Sequence, residues 1–156
     1  MFKNKIYNYI SLEFIKSFVL ILFSLSLIAW TVRAVNFLDL IVDSGYSTST
    51  YFTYSILNLT NIMTKFIPLS FLLALLLTII KLERQNELLV LWTSGIAKSK
   101  VTNLFFLLSV STMLFYILFS TIITPNALNK SRGLIKQSGV DTVTNLLKPN
   151  AFSDAF

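Results

Sequence analysis

The sequence contains no cysteine and no histidine. That double absence removes disulfides, thiolate nucleophiles, histidine-based catalytic triads and zinc sites of the usual nitrogen and sulfur kind. Glycine occurs only 4 times, and no G-x-x-x-x-G-K-[ST] run is present, so the sequence offers no loop to cradle a nucleotide phosphate. Charge is scarce too: charged residues make up 13% of the 156, against the roughly 25% usual in soluble domains. Hydrophobic residues are 54%, with 14 Phe, and mean hydropathy is +0.72. A chain this poor in charge cannot cover a globule with polar surface, so most of its exterior must meet something apolar, and a bilayer supplies it. The net charge of +6 does not indicate nucleic acid, because the basic residues sit at the ends of apolar runs and form no stripe. No cofactor and no metal are expected.

Three apolar spans follow from the hydropathy pattern. The first covers residues 12–36 around the run FVLILFSLSLIAWTV. With its flanks it reaches the roughly 20 residues needed to cross the hydrocarbon core. Trp30, Thr31 and Arg33 stand where a signal peptide would carry its small-residue cleavage site, so the span reads as a retained anchor. The second, residues 51–80, carries Asn58, Asn61 and Lys65 in its first half and is almost purely aliphatic after Pro68. Pro68 is expected either to kink this helix or to mark where an interfacial segment turns into the membrane. The third, residues 101–124, is expected to end at Pro125. Along it Ser109, Thr112, Tyr116, Ser120 and Thr124 share one helical face, which suits helix packing better than lipid contact.

Loop charges set an orientation. Lys3, Lys5 and Lys16 precede the first span, and Lys81, Arg84, Lys98 and Lys100 flank the connection between the second and third. The loop after the first span carries Asp39 and Asp43 with no Lys or Arg. The positive-inside rule then places the N-terminus and the 81–100 connection in the cytoplasm and the segment from 126 onward outside.

That inner connection is longer than two neighbouring membrane helices require. It is also amphipathic. Glu83 and Glu87 lie four apart and Arg84 and Glu87 three apart, while Leu88, Leu91 and Trp92 form an apolar edge, so a short helix over 82–97 is expected. Gly95 sits where such a helix would close in a left-handed cap. From the residues alone two readings stay open: an interfacial helix with Trp92 at headgroup depth, or a docking helix that inserts into a groove on a cytoplasmic partner.

The stretch LIVDSGYSTSTYF, followed by IPLSFLLALLLTIIKLERQNELLVLWTSGIAKSKV, resembles the LptF/LptG (YjgP/YjgQ) permeases of the lipopolysaccharide export ABC transporter. Pro68, Leu69, Leu72 and Leu73 match the start of that family's leucine-rich helix. Glu87, Leu88, Val90, Ser94 and Gly95 match the segment after it, and Pro125, Arg132 and Phe152 the region beyond. The chain departs at Thr60, where the family often has a second Pro, and at Lys65. The run LDLIVDSG and the LLKPNAF tail look more like LptF than LptG.

The resemblance implies an all-α membrane protein: a transmembrane domain over 1–125, then a periplasmic segment, 126–156, leading into a β-jellyroll-like domain of which this chain, as an N-terminal fragment, holds only the approach. It implies a permease subunit that extracts lipopolysaccharide from the inner membrane and passes it to a periplasmic bridge protein. ATP hydrolysis would occur on a separate LptB-like cytoplasmic dimer, beside a paralogous LptG-like permease and a single-pass LptC-like subunit. The 82–97 segment becomes the coupling helix, with Glu87 and then Arg84 as the residues that pair with the ATPase, and Leu88, Leu91 and Gly95 shaping the contact. Arg33, Lys65 and Trp30 become candidates for contact with the glycolipid, and Phe18, Leu22 and Leu25 for its acyl chains. Two other classes remain beside the permease. One is a structural membrane subunit, and the other a lipid-modifying membrane enzyme using Asp39 and Asp43 as paired carboxylates. A docking helix bearing Glu87 favours the transporter.

Overall fold

The computed structural model describes residues 2–38 and 47–146. The acidic pair Asp39 and Asp43, and the 147–156 tail with Phe152, lie outside the described residues.

Helix α1, Phe2–Asn36, and helix α2, Thr48–Arg84, run antiparallel. Their apolar composition provides the length, and local chemistry sets the ends. Ser47 caps α2 in an extended conformation, its Oγ accepting from the Thr50 N–H at 3.3 Å, which satisfies one of the donors a helix start leaves open. Both helices bury a row at every fourth residue: Ile10, Phe14, Phe18, Leu22 and Ser26 on α1, and Ser70, Ala74, Thr78 and Leu82 on α2. Rows at that spacing form ridges that can interdigitate. Trp30 Nε1 donates to the Ser55 carbonyl at 3.0 Å and the Tyr51 hydroxyl to the Ala34 carbonyl at 3.0 Å. At the far side of the pair, Phe14 meets Phe71 edge to face with ring centroids 5.6 Å apart.

Pro68 does not interrupt α2, which is assigned as one continuous helix. Of the two expectations, neither shows as a break in the helix at Pro68. Proline removes the ladder bond to the Thr64 carbonyl; separately, the Thr64 hydroxyl donates to the Thr60 carbonyl and lies 2.7 Å from the hydroxyl of Thr124, which ties α2 to α5.

After a short helix α3, Glu87–Thr93, the chain forms α4, Lys98–Leu118, a π-helical turn, Phe119–Ile123, and α5, Thr124–Leu146. The expected end at Pro125 is not observed. Proline lacks the N–H that would continue the ladder, and the wider π turn just before it, in which the Thr124 N–H reaches back to Phe119 O, makes room for the ring. Residues from 126, expected to lead toward a β-domain, are helical through Leu146. The reason lies in their spacing: Thr124, Ala127, Leu128, Ser131, Leu134 and Ile135 are the more buried positions, an i, i+3, i+4, i+7 stripe that lays α5 against α2.

Three helices are long and apolar enough to cross a membrane. Small side chains line their contacts, with Ser55, Ser70, Ala74 and Thr78 at 0% exposure. That is how helices approach closely in lipid, where apolar burial gives no driving force. One face of α4 stays open: Phe106, Leu107, Met113 and Leu114 are all exposed. The hydroxyl face expected for the third span divides. Thr124 is buried, whereas Ser109, Thr112 and Tyr116 line an open groove of about 350 Å³ beside Pro68.

Candidate functional site

The N-terminus of α1, the end of α2 and the start of α4 meet at one end of the bundle, where Lys81, Arg84, Lys98 and Lys100 lie. Helix α3 crosses this basic end. The expected single helix over 82–97 is corrected here. Leu82, Glu83 and Arg84 belong to α2, and α3 begins only at Glu87. The break is Asn86, in the left-handed region at φ 57°. Asn is among the few residues that tolerate this conformation, and its carbonyl still accepts from Val90 N–H at 3.0 Å. Glu83 and Arg84 consequently do not share a helix with Glu87.

The other end of α3 closes as its sequence leads one to expect. Gly95 has φ 79°, its N–H bonds Trp92 O at 3.1 Å, and the Ile96 N–H bonds Leu91 O at 3.1 Å. This pair of bonds is a Schellman motif, and the hydrophobic contact that accompanies it is present between Leu91 and Ile96. A Cβ at Gly95 would meet nothing within 4 Å, so Gly95→Ala carries only the conformational cost of a left-handed residue, roughly 1 kcal/mol. Thermal unfolding in detergent should show Gly95→Ala less stable than the parent and Gly95→Asn between the two.

Seven residues are too few for a helix to stand alone, so packing must hold α3. Leu91 is buried with Ile10 of α1, Leu82 of α2, and Ile96 and Val101, and Leu88 packs against the edge of this cluster. Polar contacts surround it. The Tyr9 hydroxyl of α1 donates to Glu87 Oε1 at 3.1 Å. Glu13 of α1 forms an ion pair with Lys81 of α2. Lys98 Nζ lies 4.6 Å from the centroid of the Trp92 ring, a cation–π contact that ties the end of α3 to the start of α4. A cleft of about 280 Å³ opens between α1 and α3, lined by Ile6, Tyr9, Ile10, Glu87, Val90 and Leu91. Arg84 lines a separate groove between α1 and α2 with Glu13, Ser17 and Lys81.

The remaining candidate residues are not brought together. Arg33 is exposed in the last turn of α1. Trp30 is half-buried and its indole N–H is committed to Ser55. Lys65 is exposed on α2, ten residues past Ser55, or about 15 Å deeper along the helix axis. Of the expected acyl-contact residues, Phe18 and Leu22 are buried in the α1–α2 contact with Phe14 and Ile67; Leu25 is half-buried.

Sequence reasoning missed Tyr9, Glu13, Lys81 and Asn86. The α1 residues had a readable signal, since Ile6, Tyr9, Ile10 and Glu13 recur at three and four residues and share one face.

Three membrane-length helices with small-residue contacts and a short helix clamped across one end define a polytopic helical membrane protein. The model of the lipopolysaccharide export system permease LptF/LptG family matches residues 8–156, and the chain belongs to that family. It is thus a membrane permease subunit of lipopolysaccharide export. Comparison with individual curated proteins gave no match.

Proposed function

We propose that this chain, as an LptF-type permease, extracts lipopolysaccharide from the inner membrane and passes it to a periplasmic bridge, driven by ATP hydrolysis on a separate cytoplasmic dimer that docks on α3. The observation that carries the reading is the way α3 is held: closed by the left-handed turn at Gly95, rooted by Leu91, and presenting Glu87 at the basic end. The positive-inside rule places that end in the cytoplasm, where such a partner would meet it. A helix fixed to α1, α2 and α4 at once passes a push from the partner into all three membrane helices.

One oxygen of Glu87 receives the Tyr9 hydroxyl, and the second has no bond among the described residues. It is the group we assign to a cation on the ATPase. Arg84, Leu88 and Gly95 flank or shape this contact. At the opposite end, Arg33 is the residue we assign to a lipid A phosphate, with Lys65, exposed further along α2, and Trp30 as further contacts. A cation inside a membrane span is a functional candidate by default because its desolvation is costly.

The test is capture of the ATPase by the detergent-solubilised permease. Glu87→Arg should weaken capture about ten- to thirty-fold, the scale of a half-buried ion pair. A reversed charge at the contacting site of the ATPase should restore it. Undiminished capture by Glu87→Arg would remove Glu87 from the docking contact.

A further inference from the structure

Docking through α3 requires Glu87 to be held in place before the partner arrives, and the structure shows what holds it. Glu87 is the first residue of α3. A carboxylate there is drawn back toward the open N–H groups of its own helix, and a glutamate has three torsions through which to wander. Instead, its Oε1 is taken by the Tyr9 hydroxyl, 78 residues away in sequence. Tyrosine has a rigid ring set by two torsions. Its backbone sits on α1 directly before Ile10, which is 1% exposed, and one turn before Glu13, which is paired to Lys81 of α2. The donor, on a residue that is 43% exposed, is thus carried on the backbone of a membrane helix and not on a loop. A single O–H occupies one of about four acceptor sites on a carboxylate, so it orients Glu87 without using up its capacity for a cation.

We infer that Tyr9 is the positioning residue that presents Glu87 to the ATPase, which makes the first two turns of α1 part of the docking machinery. The inference rests on the docking role proposed for α3. It gives α1 a direct part in coupling: a displacement of Glu87 pulls on Tyr9, and through it on the helix whose other end carries Arg33.

The experiment is a double-mutant cycle on ATPase capture, using the permease with Tyr9→Phe, Glu87→Ala and both together, alongside the melting temperature of each variant. Phenylalanine keeps the ring and its packing and removes only the donor, and alanine removes the acceptor. Tyr9→Phe should weaken capture about three- to ten-fold, the scale of re-ordering one flexible side chain, with its melting temperature unchanged. In the Glu87→Ala background the same substitution should have no further effect. If Tyr9→Phe leaves capture untouched while Glu87→Ala weakens it, or if the two effects multiply in the double variant, Tyr9 does not act through Glu87 and the inference fails. If Glu87→Ala itself captures as well as the parent, the docking role of Glu87 fails first, and the inference with it.

Discussion

Replacing Leu91 by aspartate is expected to abolish ATPase capture while leaving the membrane helices packed. Leu91 is 7% exposed and meets Ile10, Leu82, Ile96 and Val101. A carboxylate at that position has no cation or donor within the apolar cluster, and burying it unpaired costs several kcal/mol. Helix α3 has only 7 residues, and its Schellman closure depends on the Leu91–Ile96 contact, so the helix has nothing else with which to offset that cost. The second cluster, built on Phe14, Phe18, Leu22, Ile67 and Ala74, shares no buried residue with the first, so the damage stays local. Leu91→Ala should destabilise by about 2–4 kcal/mol, and Leu91→Met by less than about 1.5 kcal/mol with capture retained. Hydrogen exchange separates the regions. In Leu91→Asp the amides of 87–96 should exchange rapidly while those of 62–80 stay protected. Loss of protection throughout would show that α3 is part of one cooperative core and not an appended docking element.

The contrast between the two clusters also explains how much of this protein could be read from its residues. The membrane spans were legible because a run of apolar residues long enough to cross a bilayer has few other outcomes. The cap at Gly95 was legible because a glycine just past a short amphipathic stretch suits the left-handed closure of a helix. Asn86 was harder. The Glu83 and Glu87 spacing is equally compatible with one helix, and only the packing of Leu82 against α1 and of Leu91 against the same cluster from another direction forces the chain to turn between them. Pro125 misled for the opposite reason. A proline ends most helices, but the stripe from Thr124 to Ile135 keeps contact with α2 once the π turn has absorbed the ring, so packing outweighs the local preference. Tyr9 could be placed on a face by spacing, yet its partner is set by tertiary structure alone. In the same way Lys65 reads as an exception in the sequence, and the structure adds only its depth and its exposure.

The close approach of α1 and α2 leads to a pair of predictions with opposite signs at positions one turn apart. Both Ser70 and Ala74 are at 0% exposure. Ala74 belongs to the cluster of Phe14, Phe18, Leu22 and Ile67, where the Phe14 and Phe18 rings lie nearly parallel at 6.2 Å and Phe14 meets Phe71 at 69°. Leucine at position 74 must displace those rings or push the helices apart. Overpacking of this kind costs about 1–3 kcal/mol, and in lipid no hydrophobic gain offsets it, because the extra methyl groups are as well solvated by acyl chains. The Ser70 hydroxyl, by contrast, is buried with no hydrogen-bond partner among the described residues. Ser70→Ala removes a desolvated polar atom at almost constant shape, so it should be neutral or stabilise by up to about 1 kcal/mol. Thermal unfolding in one detergent compares the two directly. Because α1 carries Tyr9 and Glu13 to the basic end, Ala74→Leu should also weaken ATPase capture although residue 74 lies far from α3, whereas Ser70→Ala should leave capture intact. Equal losses from both substitutions would mean that the serine hydroxyls, and not the closeness of the backbones, hold α1 to α2.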